Sequence, residues 1–67
     1  MEKEVKRITN QIFSGIAYDI AGMHFHKADC GYFVSVRDLG KSPVSRLEIL
    51  DVVETAVKAG LPVMKCN

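Results

Sequence analysis

The chain has 67 residues, of which 48% are hydrophobic, and nine basic residues against eight acidic ones leave a formal net charge of +1. This length allows a single small domain, residues 1–67, which buries only about 60% of its unfolded surface and is often stabilised further by a metal, a disulfide or oligomerisation. The near-neutral charge argues against a nucleic-acid partner, because an excess of Lys and Arg supplies most of the affinity for phosphates.

The sequence shows no segment typical of export or membrane insertion. The first residues, MEKEVKRI, are charged, and no run approaches the ~18 apolar residues of a membrane span. We therefore expect a cytoplasmic protein without a membrane partner, in which Cys30 and Cys66 are reduced thiols.

Residues 2–21 have the apolar spacing of an amphipathic helix. Five apolar residues recur every three or four positions: Val5, Ile8, Ile12, Ile16 and Ile20. This spacing places them on one face of a helix. Gly15 would then be an interior glycine, and Gly22 would follow the last helical turn and end the helix.

Between residues 23 and 37 the apolar spacing changes from helical to alternating. The stretch MHFH at 23–26 alternates apolar and imidazole side chains, and YFVSVR at 32–37 continues with a period of two. Alternation of this kind predicts two strands of a β-hairpin. The connecting stretch KADCG at 27–31 predicts a loop slightly longer than the tightest two-residue turns.

Residues 43–59 predict a second helix with clear boundaries. Two N-terminal caps fit the sequence: Ser42 followed by Pro43, or Ser45 with Glu48 closing a capping box. A glycine and then a proline after residue 59 prevent the helix from continuing.

The order of elements is helix, strand, strand, helix, and LPVMK at 61–65 is a candidate for a short third strand. This order predicts an α+β fold, a helix–β-hairpin–helix arrangement in which both helices pack on one face of a small antiparallel sheet.

The second helix has more apolar surface than one packing partner needs. Its apolar residues span about 180° of a helical wheel, whereas roughly 100° is enough for one partner. A sheet of two or three strands also leaves open edges. We therefore expect a homo-oligomer, a dimer or higher, that buries part of this helix between chains, with Ile49, Val53 and Val57 at the interface.

The two histidines raise the question of a metal site. On a strand, His24 and His26 would lie on one face about 7 Å apart, and Cys30 in the turn would be a third ligand for zinc, with Cys66 or Asp29 as a fourth. The spacing is not a strong zinc motif, and histidines on the wet face of a strand need no metal. We expect no cofactor, and zinc is the alternative.

The same strand face should carry Phe33 and Arg37, because strand side chains alternate. An aromatic and basic patch of this kind contacts a protein partner or stacks the bases of single-stranded RNA. The low net charge favours the protein.

No nucleophile–base pair stands out in the sequence, so we do not expect an enzyme. The leading interpretation is a small non-catalytic regulatory or accessory protein that acts through protein–protein contacts as a homo-oligomer. The alternatives are a small metal-binding protein that uses His24, His26 and Cys30, and an RNA-contacting module that uses the outer face of the hairpin.

Overall fold

The computed structural model describes residues 2–37 and 39–66 as two helices and five strands. In chain order these are α1 (Glu2–Ser14), β1 (Tyr18–Ile20), β2 (Met23–Ala28), β3 (Gly31–Val36), β4 (Gly40–Val44), α2 (Arg46–Ala59) and β5 (Val63–Lys65). The strands form one antiparallel sheet in the order β4-β3-β2-β1-β5. Neither helix in the described ranges is long and apolar enough to cross a membrane. The predicted α+β fold is confirmed, with β1 and β4 as additional strands.

The first helix ends at Ser14, well before the end that the apolar spacing predicts. Gly15 adopts a positive φ of 114°. Its N–H donates to the carbonyl of Ile12 at 3.1 Å, and the N–H of Ile16 donates to the carbonyl of Gln11 at 2.9 Å. This pair of hydrogen bonds is the Schellman motif that terminates helices. The prediction of a longer helix is wrong because it placed this glycine in the helix interior.

The residues after this stop form β1, which turns directly into β2. Ile20 pairs with Met23 across the turn, and the two residues between them, Ala21 and Gly22, have positive φ angles of 51° and 83°. Two positive φ angles match a type I′ turn, whose twist suits a two-residue hairpin. Gly22 is therefore a hairpin residue and does not end a helix.

The second helix begins with a capping box. The Ser45 side chain accepts a hydrogen bond from the Glu48 N–H at 3.1 Å, and the Glu48 carboxylate accepts one from the Ser45 N–H at 3.1 Å. The second of the two caps considered from the sequence is thus the one that forms. Ser42 and Pro43 belong to β4, so the helix starts later than residue 43. Gly60 ends it with a positive φ of 70°, as the sequence predicts.

The core lies between the two helices and one face of the sheet. Its buried apolar residues are Val5, Ile8, Ile12, Tyr18, Ile20, Phe25, Ile49, Val53 and Ala56. Ile49 and Val53 are only 1% and 0% exposed in the single chain. Their assignment to an interface between chains is therefore corrected, because their side chains fill the chain's own core. Val57 is partly buried and packs against the same core.

Both edges of the sheet are poorly suited to pairing with another strand. The edge strand β4 carries the exposed Lys41 and also Pro43, which has no N–H to donate. The other edge strand, β5, has only three residues. Charges, prolines and short strands at an edge all disfavour sheet extension. An oligomer formed through a face of the molecule fits this structure better than one that continues the sheet.

Candidate functional site

The helices cover one face of the sheet and leave the other face open. Strand alternation and the cross-strand pairing place ten side chains on this open face: Asp19, His24, His26, Ala28, Phe33, Ser35, Lys41, Pro43, Met64 and Cys66. The side chains of His24 and Asp19 are 42% and 44% exposed. In the described part of the chain, α1 and α2 both contribute to the core on the opposite side.

A row of three rings in contact crosses the centre of the open face. The His26 ring centroid lies 5.4 Å from that of His24 and 5.9 Å from that of Phe33, and the Phe33 contact is close to parallel at 25°. Lys41 places its Nζ 4.4 Å from the centroid of the Phe33 ring, which is a cation–π contact. The row therefore runs from a cation on β4 through three rings on β3 and β2.

The cation of this row is not the one predicted from the sequence. Phe33 lies on the same face as the histidines, as expected, and pairs with His26 across the strands. Arg37 is exposed in the turn that follows β3, because the strand ends at Val36. Lys41 occupies the position over the ring instead. Its role was missed because β4 was not recognised as a strand.

The other end of the row holds a cluster of three different polar side chains. Asp19 Oδ1 lies 2.8 Å from His24 Nδ1, and Cys66 Sγ lies 3.8 Å from the same nitrogen. The three ligand atoms all lie within 4.8 Å of one another. We call these residues the Asp–His–Cys cluster. They come from β1, β2 and the residue after β5, so only the folded sheet brings them together.

Hydrogen bonding and burial set the protonation of these groups. The hydrogen bond with His24 lowers the pKa of Asp19, which outweighs the opposing effect of burial. Burial raises the pKa of the Cys66 thiol, and the neighbouring Asp19 carboxylate raises it further. Burial also lowers the pKa of His26, and nearby His24 and Lys41 act in the same direction. At neutral pH the cluster thus contains a carboxylate and a thiol, beside an uncharged His26.

The geometry of the cluster differs from that of a catalytic relay. In a nucleophile–histidine–carboxylate relay, the carboxylate and the nucleophile contact different nitrogens of the imidazole. Here Asp19 and Cys66 both contact Nδ1 of His24. The imidazole therefore cannot take a proton from the thiol through one nitrogen while the carboxylate orients it through the other. Three donor atoms that converge on one point are better suited to sharing a positive ion.

The metal set predicted from the sequence is only partly brought together. Cys30 is exposed in the turn between β2 and β3, where it and Asp29 form a two-residue loop between the paired Ala28 and Gly31. This loop is shorter than predicted. Six positions separate His24 from this cysteine, and the extended strand between them, at about 3.3 Å per residue, holds the two far apart.

The His26 ring packs against that of His24 at a tilt of 33° and is not part of the Asp–His–Cys cluster. Its Nδ1 is buried and has no hydrogen-bond partner among the described residues. Among those residues, the group of metal-ligating side chains close enough to share an ion consists of Asp19, His24 and Cys66. No protein-family model matches the chain, and no curated protein or solved structure matches it.

Proposed function

We propose that this chain is a small non-catalytic regulatory or accessory protein that acts through protein contacts, and that a second copy of the chain covers its open face. The observation that carries this proposal is the order of charges along the row. Lys41 lies at one end, three rings in contact lie in the middle and Asp19 lies at the other end. The cytoplasmic location expected from the sequence remains part of the proposal.

Such a row is complementary to itself. In a two-fold dimer the same patch serves both chains, so that residue i of one copy meets residue j of the other and the reverse. With the axis through the rings, Lys41 of each copy faces Asp19 of the other. Two opposite-charge contacts then flank a central stack of rings, and they fix the relative orientation of the two sheets.

The middle of the row is suited to burial between two copies. His26 is uncharged at neutral pH because its pKa is lowered, so two copies of this ring meet without charge repulsion. The Phe33 ring is half-buried in the single chain and becomes fully buried under a second sheet. Aromatic rings that stack at an interface contribute apolar area together with a preferred geometry.

The size of the open face predicts a weak dimer. Five strands at about 4.8 Å spacing give a width of about 24 Å, and strands of this length give a face of about 400 Å². Standard interfaces bury about 800 Å² per partner. We therefore expect a dissociation constant in the micromolar range and rapid exchange between monomer and dimer.

Two alternatives are less well supported: an interface on α2, and single-stranded RNA as the partner of the open face. Leu47 and Leu50 on α2 are 72% and 39% exposed. Isolated exposed leucines are common, however, and need no partner. Single-stranded RNA would stack its bases on the same rings. Lys41 is the cation of the row, however, and the negative charge of Asp19 at the other end would repel phosphate. Phosphate binding draws its affinity from several cations.

The test exchanges the charges at the two ends of the row. Lys41→Glu leaves two negative ends and Asp19→Lys leaves two positive ends, so each variant alone should sediment as a monomer at concentrations where the wild type dimerises. An equimolar mixture of the two variants restores both opposite-charge contacts and should form a heterodimer. The matched control is Lys27→Glu, which makes the same charge change away from the open face. Lys27 is exposed, and because its neighbours in β2 face the open side, its own side chain points to the opposite side of the sheet. This control should dimerise like the wild type.

Several outcomes would overturn the proposal. A wild type that stays monomeric at high micromolar concentration would show that a second copy does not cover the open face. If that monomer binds mixed single-stranded RNA at micromolar concentration and Phe33→Ala abolishes the binding, RNA is the partner. A mixture of the two charge variants that stays monomeric contradicts the two-fold arrangement. A dimer that Leu47→Glu disrupts and Lys41→Glu does not would move the interface to α2.

A further inference from the structure

We propose that the Asp–His–Cys cluster is a zinc site that binds one Zn²⁺ ion per chain through Asp19, His24 and Cys66. The proposal stands on the convergence of a carboxylate oxygen, an imidazole nitrogen and a sulfur, whose atoms all lie within 4.8 Å of one another. It does not rest on the proposed self-association, because one chain supplies all three ligands. It also differs from the set of His24, His26 and Cys30 expected from the sequence.

The two distances from His24 Nδ1 to the other ligand atoms fit a tetrahedral ion after small side-chain movements. Zinc binds nitrogen at about 2.0–2.1 Å, oxygen at about 2.0–2.2 Å and sulfur at about 2.3 Å, so its ligand atoms lie about 3.4–3.6 Å apart. In the structure, His24 Nδ1 lies 2.8 Å from Asp19 Oδ1 and 3.8 Å from Cys66 Sγ. Adjustments of roughly half an ångström bring both separations into this range. Rotation of two partly exposed side chains is enough for that.

The backbone holds the three ligands in place before an ion arrives. Asp19 and His24 are direct cross-strand partners in β1 and β2. The N–H of Cys66 donates to the carbonyl of Ala17 at 2.9 Å, which continues the pairing of β5 with β1 beyond the end of the strand. The sheet therefore fixes the Cα positions of all three residues. A site on rigid strands loses little conformational entropy when it binds an ion.

The donor set favours Zn²⁺ over the hard cations. Calcium and magnesium select oxygen ligands, whereas zinc accepts nitrogen, oxygen and thiolate sulfur together. The ion would be bound by the Nδ1 lone pair of the His24 imidazole, whose hydrogen would then be on Nε2. The Cys66 thiol releases one proton to solvent. The charges of the carboxylate and the thiolate then balance the ion, and the fourth position is open to water.

Zinc and a second copy of the chain would compete for Asp19. The carboxylate cannot serve fully both as a metal ligand and as the partner of Lys41 in the other copy, so bound zinc should weaken self-association. The test for zinc is therefore made in the Lys41→Glu variant, which keeps all three ligands. Its outcome does not depend on whether the chain dimerises.

The experiment titrates zinc chloride into this reduced, metal-free protein and follows binding by calorimetry. We expect one ion per chain, a micromolar or tighter dissociation constant and a higher melting temperature when zinc is bound. Loss of a group that merely supports a metal ligand costs about 10–100-fold in affinity. Cys66→Ser removes a ligand itself and should cost more than about 100-fold. The matched control, Cys30→Ser, removes the other cysteine and should leave zinc binding unchanged.

Cobalt gives a second readout that does not depend on stability. Co²⁺ in the same site should show a thiolate-to-metal charge-transfer band that Cys66→Ser abolishes and Cys30→Ser retains. The proposal is overturned by a protein that takes up no zinc at micromolar concentration. A ratio of one ion per two chains also contradicts it, and so does equal zinc affinity of the Cys66→Ser variant and its parent. A loss of binding in Cys30→Ser alone would establish the set expected from the sequence.

Discussion

The two faces of the sheet differ sharply although the same strands form both. On the covered face, Tyr18, Ile20 and Phe25 are at most 3% exposed and pack against the helices. On the open face, the side chains of Asp19 and His24, which alternate with them, are more than 40% exposed. The covered face thus holds the apolar side chains that stabilise the fold. The open face holds rings, charges and donor atoms that contact one another and remain available to a partner or an ion.

The largest predicted effect compares one phenylalanine on each face. Phe25 is 2% exposed, so Phe25→Ala should lower the free energy of unfolding by about 3–5 kcal/mol, enough to unfold a domain of this size. Phe33→Ala should cost less than about 1.5 kcal/mol in the monomer, because the ring is half-buried and lies on the open face, against His26 and Lys41. Urea unfolding at low protein concentration measures both. Phe25→Leu gives a folded comparison if the alanine variant is unfolded.

The opposite ranking would break the comparison between the faces. If Phe33→Ala destabilises the dilute monomer as much as Phe25→Leu or more, the open face is part of the structural core. Its rings would then be held by the fold itself, and the argument that they await a second copy would lose its basis.

A smaller effect is predicted for pH. Burial lowers the pKa of His26 in the folded chain, with His24 and Lys41 adding to the shift, while the unfolded chain keeps the ordinary value of 6.5. The unfolded state therefore binds the proton more readily. The free energy of unfolding should therefore have its full value above pH 6.5. It should decrease as the pH falls from 6.5 towards the pKa of His26 in the folded chain. The neighbouring Asp19 remains ionised in this range because its pKa is lowered from 3.8.

This pH effect is measured by thermal unfolding of the dilute monomer between pH 7.5 and pH 5. His26→Phe keeps a ring in the row but removes the titrating group, so it should flatten the profile in this range. A wild-type profile that is already flat, or a variant that loses as much stability as the wild type, would show that burial of His26 does not set the pH dependence.

The sequence predicted the elements whose signals are local. The capping box of Ser45 and Glu48, one of the two caps that fit the sequence, forms; Gly60 ends the second helix, and period-two alternation identified β2 and β3. The first hairpin was missed because its turn uses Ala21, and alanine is an uncommon residue at positive φ. Ile16 and Ile20 also matched a helical spacing by coincidence.

On the open face, too, the sequence predicted only the side-chain positions that local alternation determines. His24, His26 and Phe33 were placed on one face, because alternation alone decides that. Asp19 and Lys41 were missed, since β1 and β4 contribute them and neither strand was predicted. The polar stretch GKSPV does not read as a strand, because glycine and proline are depleted in strand interiors. Cys66 was considered only as a fourth ligand, as its position depends on the pairing of β5 with β1.

The central claim is that a second copy of the chain covers the open face, and side-chain NMR signals in a dilution series test it most directly. Met64 lies on the open face and is 61% exposed, whereas Leu47 on α2 is 72% exposed and Phe25 is buried on the covered face. The account predicts concentration-dependent shifts for the Met64 methyl and the Phe33 ring, and constant positions for the Leu47 methyls and the Phe25 ring. Shifts confined to Leu47, or none at any signal, would contradict it.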